Sequence, residues 1–146
     1  MAYSGRYTPK NPSKYIGDPD NIIYRSLWER RVMLKLDESD DVIKWASEEP
    51  FMIVPYVSPV DNRWHRYFPD FFVAIREGDK VKNLLIEVKP KKQTEPPVKK
   101  KKVTKAYLKE VMTWGVNEAK WKAAKEVCAH KGWKFQLITE IELGIR

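Results

Sequence analysis

The sequence predicts an α/β domain in which one helix precedes three strands and a second helix leads into a last strand. Three observations carry this order. Between Ser26 and Leu36, Trp28, Val32 and Leu36 recur every four residues with Met33 beside them, the spacing of one helical face. Trp64 to Ile75 and Val81 to Val88 read as two strands around Glu77-Gly78-Asp79-Lys80, a hairpin signal. Trp121, Ala124 and Cys128, with Ala123 and Val127 alongside, mark a helix that closes at Gly132 and runs into the alternating strand 133–138. A chain of 146 residues, 42% hydrophobic and 12% aromatic, suits one core and excludes wholesale disorder.

Taken in order, residues 1–20 set Tyr3, Tyr7 and Tyr15 among prolines, glycines and serines with no sustained period. They are expected to form an extended N-terminal arm, leaving 21–146 as a single domain. The first helix should end within Asp37 to Asp41. Residues 43–57 are β-prone but broken by Pro50 and Pro55, which suits edge or bent strands. Ser58 to Asn62 is turn chemistry, and Gly78 and Asp79 tolerate the positive φ of a tight hairpin. Beyond Pro90, a Lys/Pro-rich insertion at about 90–104 is too polar to be buried and too proline-rich for a helix, so it is expected to be mobile. Tyr107, Leu108, Val111 and Met112 predict a short helix stopped near Trp114-Gly115, with Asn117 capping the longer helix that follows. No internal repeat is visible.

No apolar run approaches the roughly 18 residues of a membrane span, and the polar opening MAYSGRYTPK lacks the hydrophobic stretch of a secretion signal. The expectation is a soluble intracellular protein without a membrane partner. A lone Cys128 can form neither an internal disulfide nor a multi-cysteine zinc site, which agrees with a reducing cytoplasm. The net charge of +8 is regional. Residues 1–88 hold 13 Lys+Arg against 14 Asp+Glu, whereas 89–146 hold 15 against 6. Lys89 to Lys105 alone holds eight lysines and one glutamate, a field suited to a polyanion such as nucleic acid or, equally, a loop kept soluble by charge.

If the hairpin pairs symmetrically about Gly78-Asp79, Asp70 falls opposite Glu87 and Phe68 opposite Lys89. Alternation then puts Asp70, Glu87 and Lys89 on one face, at the end remote from the turn. Their neighbours Phe71, Phe72, Val73, Leu84, Leu85, Ile86 and Val88 are apolar on both faces, as in a covered central pair. Two close carboxylates repel unless a proton or a hard cation lies between them, and Mg²⁺ favours such oxygen donors. A lysine on the same face can hold a hydroxide or neutralise charge growing on a phosphate. The plain structural alternative is a salt bridge of Lys89 with either acid.

Pro69-Asp70 followed by Glu87-Val88-Lys89 resembles the PD-(D/E)xK nuclease signature, and the α-β-β-β-α-β order matches that superfamily's restriction-endonuclease-like core, a mixed central sheet flanked by helices. RSLWE (25–29), VIKWASEE (42–49), HRYFPDF (65–71), LLIEVKP (84–90) and VNEAKW (116–121) further resemble the head completion nucleases of T4-like tailed phages, relatives of the TnsA-type transposon endonucleases. The resemblance spans nearly the whole chain. It implies hydrolysis of DNA phosphodiesters with Mg²⁺, or Mn²⁺ as a substitute, bound by Asp70, Glu87 and the Val88 carbonyl. Lys89 would orient the attacking water, and Glu29 stands where related endonucleases bring a glutamate from the first helix. TnsA-type sequences can carry Gln where Glu87 stands. The resemblance also implies action on the end of packaged double-stranded DNA during head completion and head–tail joining, with portal or neck proteins as partners. The implied location is the host cytoplasm, with retention in the virion.

Lys91, Lys92, Lys99, Lys100, Lys101 and Lys102 are the candidate DNA contacts, joined by Asn117 and Lys120 one helical turn apart. Glu48 and Glu49 are further candidate ligands or a solvated strand edge; His65 is a phosphate contact or a surface residue. The six Trp are assigned to the core, since no RNA-binding aromatic motif accompanies them. Glu29 also completes Ser26-x-x-Glu29, a capping box. Two rival functions remain. One is a non-catalytic DNA-binding connector with a nuclease fold, against which the intact Asp70, Glu87 and Lys89 argue. The other is a TnsA-like transposon endonuclease, against which the expected lack of a further domain argues.

Overall fold

The structure, a computed structural model, describes residues 3–145, so Met1 and Ala2 of the expected arm and the terminal Arg146 lie outside the described residues. At its centre is strand β6 (Phe71–Glu77), buried from Phe71 to Ala74 without alternation, as a strand covered on both faces must be. It turns through Gly78-Asp79 into β7 (Lys80–Val88), with pairs running from Glu77 opposite Lys80 to Phe71 opposite Ile86, the symmetric register expected. Gly78 takes φ +64° and Asp79 stays at negative φ, so only one of the two turn residues uses the left-handed region. Strand β3 (Val42–Ser47) flanks β6 antiparallel, and β8 (Lys134–Ile138) flanks β7 parallel, giving the order β3-β6-β7-β8. A parallel neighbour needs a crossover, which helix α2 (Lys105–Lys131) supplies.

Helix α1 (Leu27–Glu38) is capped by Ser26, whose hydroxyl accepts from the Glu29 amide, and it buries Val32, Met33 and Leu36 as predicted. Asp37 lies within its last turn and is fully buried. Its carboxylate accepts from the Tyr7 hydroxyl at 2.7 Å and from the amides of Lys10 at 2.7 Å and Asn11 at 3.0 Å. The N-terminal segment is therefore tied to the domain. Within it, β1 (Gly5–Tyr7) pairs with β2 (Ile22–Tyr24), and Tyr7 and Tyr15 pack edge-on against Trp45 at 6.1 and 4.9 Å. Irregular spacing concealed this, because a tyrosine can bury its ring from an aperiodic segment if its hydroxyl finds a partner.

The stretch expected as one strand from Trp64 to Ile75 divides at Pro69, which lacks an amide donor and restricts Phe68. Before the break, β5 (Trp64–Tyr67) pairs with β4 (Val54–Val57) in a separate two-stranded sheet. Helix α2 is one continuous element of 27 residues, so the expected stop at Trp114-Gly115 does not occur. Glycine inside a helix costs about 1 kcal/mol. Here Trp114 packs edge-on against Trp121 at 5.8 Å on the next turns, holding the helix through Gly115. Asn117 consequently sits buried in mid-helix and caps nothing, whereas Thr104 caps the start and Gly132, at φ +71°, the end. Five tryptophans are buried or half-buried, but Trp64 is 73% exposed, against the assignment of all six to the core. A short helix α3 (Glu140–Leu143), capped by Thr139, was not legible beforehand. No helix among the described residues is long and apolar enough to cross a membrane.

Candidate active site

Asp70 occupies the gap between the β5 hairpin and β6, one position before the first β6–β7 pair. Its Oδ2 accepts the Val88 amide at 2.7 Å. The first carboxylate is thereby fixed to the strand that carries Glu87 and leads into Lys89. Glu87 is buried, and the Lys89 ammonium lies 4.0 Å from Glu87 Oε2 while the Lys89 amide donates to Ile138 at 2.9 Å. The observed contact of Val88 is through its amide; its carbonyl was the group expected at the metal.

Glu29 comes from the first turn of α1. Its amide is bound by Ser26 Oγ at 3.1 Å, and its carboxylate accepts from the Arg25 amide at 3.4 Å and the Ser26 hydroxyl at 3.5 Å, so the bond to the Ser26 amide that completes a capping box is replaced. Carboxylate oxygens of Glu29, Glu48 and Asp70 lie within 4.8 Å of one another. Glu48 thus joins the cluster. It stands just past the end of β3 at φ +51°, a left-handed conformation that costs a non-glycine residue roughly 1–2 kcal/mol, and Arg25 Nε donates to its Oε2 at 3.0 Å. Glu49 turns away, accepting the Tyr15 hydroxyl at 2.7 Å, and His65 binds Asp61 at 2.7 Å on the exposed hairpin. Neither is in the cluster.

The electrostatics are those of negative charge short of a counter-ion. Burial, followed by the charge of Glu87, lifts the Asp70 carboxyl well above its ordinary range against the pull of the Val88 amide. Burial also lifts Glu87, with Lys89 and then Lys120 among the groups opposing it. Glu29 is pushed up to about 7 by burial and then by Asp70. Lys120 is half-buried, and desolvation lowers its ammonium although Glu87 draws it the other way. Its Nζ sits 5.6 Å from the centre of the Tyr67 ring and 5.9 Å from that of Tyr56, joining α2 to the β4–β5 hairpin.

Tyr67 was missed by sequence reasoning. Its hydroxyl is buried with no hydrogen-bond partner among the described residues, and burial with the Glu87 and Asp70 charges holds the phenol far above its ordinary range. The clue was its place three residues before Asp70 in RYFPD. Of the other expected contacts, Lys91, Lys92 and Lys99 to Lys102 are exposed, and the Lys91 amide donates to Glu140 at 2.7 Å. Asn117 lines two open recesses of about 420 and 460 Å³ beside the first half of α2.

Hard carboxylate oxygens from three separate segments of the chain, half-buried and mutually repelling, fit a divalent cation. The chain is 42% identical over 144 residues, 96% of its length and 93% of the relative's, to the head completion nuclease of Enterobacteria phage T4. Residues 39–140 match the TnsA-like endonuclease N-terminal family, a span that holds Glu48, Asp70, Glu87 and Lys89 and begins after Glu29. With a restriction-endonuclease-like sheet carrying these acids and such matches over most of its length, the chain belongs to the TnsA-like endonucleases.

Proposed function

We propose that this nuclease is an Mg²⁺-dependent deoxyribonuclease of the PD-(D/E)xK type that acts in phage head completion and head–tail joining, on the end of packaged double-stranded DNA. The observation that carries the chemistry is the meeting of Glu29, Glu48 and Asp70 within 4.8 Å, with Glu87 on the adjoining strand and Lys89 just past its end. The similarity to a phage head completion nuclease supports the biological role. The host cytoplasm, retention in the virion and contact with portal or neck proteins follow from the same reading.

Asp70, Glu87 and Glu29, with Glu48 and the Val88 carbonyl, would hold Mg²⁺ or Mn²⁺. The bound ion would supply positive charge to the phosphate and acidify water at the site. The chain's own residues do the rest. The Val88 amide fixes Asp70 Oδ2. Lys89, beside Glu87, orients the attacking water and offsets charge accumulating on the phosphate oxygens. Arg25 holds the Glu48 carboxylate at the rim, and the Tyr67 hydroxyl, which has no partner among the described residues, offers the cluster a donor. Exposed Lys91, Lys92 and Lys99 to Lys102 grip the DNA backbone, with Lys120 nearer the cut. The test is incubation with linear and circular duplex DNA in Mg²⁺, in Mn²⁺ and in chelator. Cleavage with either ion and none in chelator is expected; cleavage undiminished by chelator, or none under any condition, contradicts the proposal.

A further inference from the structure

We propose that the outward face of the β4–β5 hairpin binds unpaired nucleotides of the substrate, stacking a base on Trp64, so that DNA with a single-stranded end is preferred over a blunt duplex. This rests on the DNA-nuclease reading above. The hairpin is two-sided. Val54, Tyr56 and Tyr67 face inward and are buried, while Pro55 and Val57 pair with Arg66 and Trp64 on the outward face. Trp64 is 73% exposed, more than any other aromatic side chain among the described residues, and Phe68 is 42% exposed. Pro55, Trp64, Arg66 and Phe68 line an open recess of about 560 Å³ together with His65.

Position and charge identify the occupant. Phe68 lies two residues before Asp70, so one short stretch of chain joins the hairpin face to the acidic cluster. Trp64 lies six positions before Asp70, a reach of at most about 20 Å, or about six base steps of 3.4 Å. Arg63 and Arg66 flank Trp64 and form no ion pair among the described residues, leaving them available to phosphates. Within a duplex the base faces are covered by their neighbours, and a blunt end exposes only the outer face of its last pair, at the helix axis. An unpaired base offers a free π-face, and stacking on an aromatic side chain is sequence-tolerant.

The test is fluorescence anisotropy in chelator, which requires no turnover. The probes are a labelled blunt duplex, the same duplex with a 5′ or a 3′ overhang of about six nucleotides, and overhang versions lacking bases. Wild type should bind one overhang duplex about tenfold tighter than the blunt one. Trp64→Ala should remove that preference, Trp64→Phe should retain most of it, and removing the overhang bases should cost wild type as much as Trp64→Ala does and cost the variant nothing further. Equal wild-type affinity for blunt and overhang DNA, or a preference that survives Trp64→Ala, overturns the inference and leaves the face to a protein partner. Either outcome stands apart from the cleavage test: cleavage without overhang preference removes only this inference, and preference without cleavage removes only the catalytic reading.

Discussion

The Val88 amide donates to Asp70 Oδ2 at 2.7 Å, so the two halves of the acidic motif, 17 positions apart in sequence, are joined by a hydrogen bond across the sheet. That bond holds Asp70 beside Glu87 despite their repulsion. It also makes the site sensitive to charge more than to shape, which the substitutions below exploit.

Asp70→Asn and Glu87→Gln each remove a buried negative charge while nearly conserving volume. In chelator, both variants should melt at or above the wild-type temperature, because the repulsion that raises the wild-type carboxyls is relieved. Adding Mg²⁺ should stabilise wild type, by about 2.7 kcal/mol at a hundredfold excess over the dissociation constant, and should leave Asp70→Asn unmoved. Thermal melts with and without Mg²⁺ decide this. An equal Mg²⁺ shift in both proteins would place the ion elsewhere.

Glu29 yields a pH signature. Its folded value of about 7 lies above the ordinary 4.5, so the folded chain binds the proton more tightly and this contribution to stability is complete below about 4.5 and lost as pH rises through about 7. In chelator, the wild-type melting temperature should therefore fall over that window more steeply than that of Glu29→Gln. The variant keeps its start-of-helix amide bond to Ser26, and its cleavage rate in Mg²⁺ should drop by orders of magnitude. Parallel pH profiles together with normal cleavage would leave Glu29 as a helix-end residue.

Replacing Lys99, Lys100, Lys101 and Lys102 together should weaken DNA binding irrespective of sequence and flatten the log–log salt dependence by up to about 0.9 per lost phosphate contact. Cleavage at saturating DNA should persist. Binding titrations across a salt series measure the slope, and an unchanged slope would mean that the tract touches no phosphate.

Asp37 ties the N-terminal segment to α1. Burial disfavours its charge, but the hydrogen bonds from Tyr7, Lys10 and Asn11 outweigh this and lower its carboxyl. A depressed folded value means stability that is complete above the ordinary 3.8 and lost as pH falls through the folded value. Asp37→Asn should cost about 2–3 kcal/mol at neutral pH and reduce the acid sensitivity of the remaining stability. Denaturant melts at neutral and acid pH test both parts, and a variant as stable as wild type would show the tie to be idle.

The parts legible in sequence are those that periodicity writes locally. The symmetric hairpin turn sets the β6–β7 register, which ends at Phe71 opposite Ile86 and so brings Asp70 to the Val88 amide next to Glu87. Trp28, Val32 and Leu36 similarly marked α1. Glu48 was weighed as a strand-edge acid because its place in the cluster depends on a left-handed backbone and on Arg25, neither of which has a periodic signal. Tyr67 was hidden because its strand pairs with β4 and leaves the central sheet, so that β-alternation read through Pro69 ran two strands together. Gly115 and Asn117 look like a helix stop and a cap by local propensity, yet the packing of Trp114 on Trp121 overrides them. Tyr7 and Tyr15 were hidden for the same reason: their partners, Trp45 and Asp37, lie elsewhere in the chain.

The most direct measurement is single-turnover cleavage of linear duplex DNA in Mg²⁺ by wild type, Asp70→Asn and Lys89→Ala, with DNA binding by all three measured in chelator. The predicted result is cleavage by wild type, loss of cleavage by orders of magnitude in both variants, near-equal DNA affinity, and a Mg²⁺-induced rise in melting temperature retained by Lys89→Ala and absent from Asp70→Asn. Comparable cleavage by wild type and Asp70→Asn would contradict the assignment of the chemistry to this pocket.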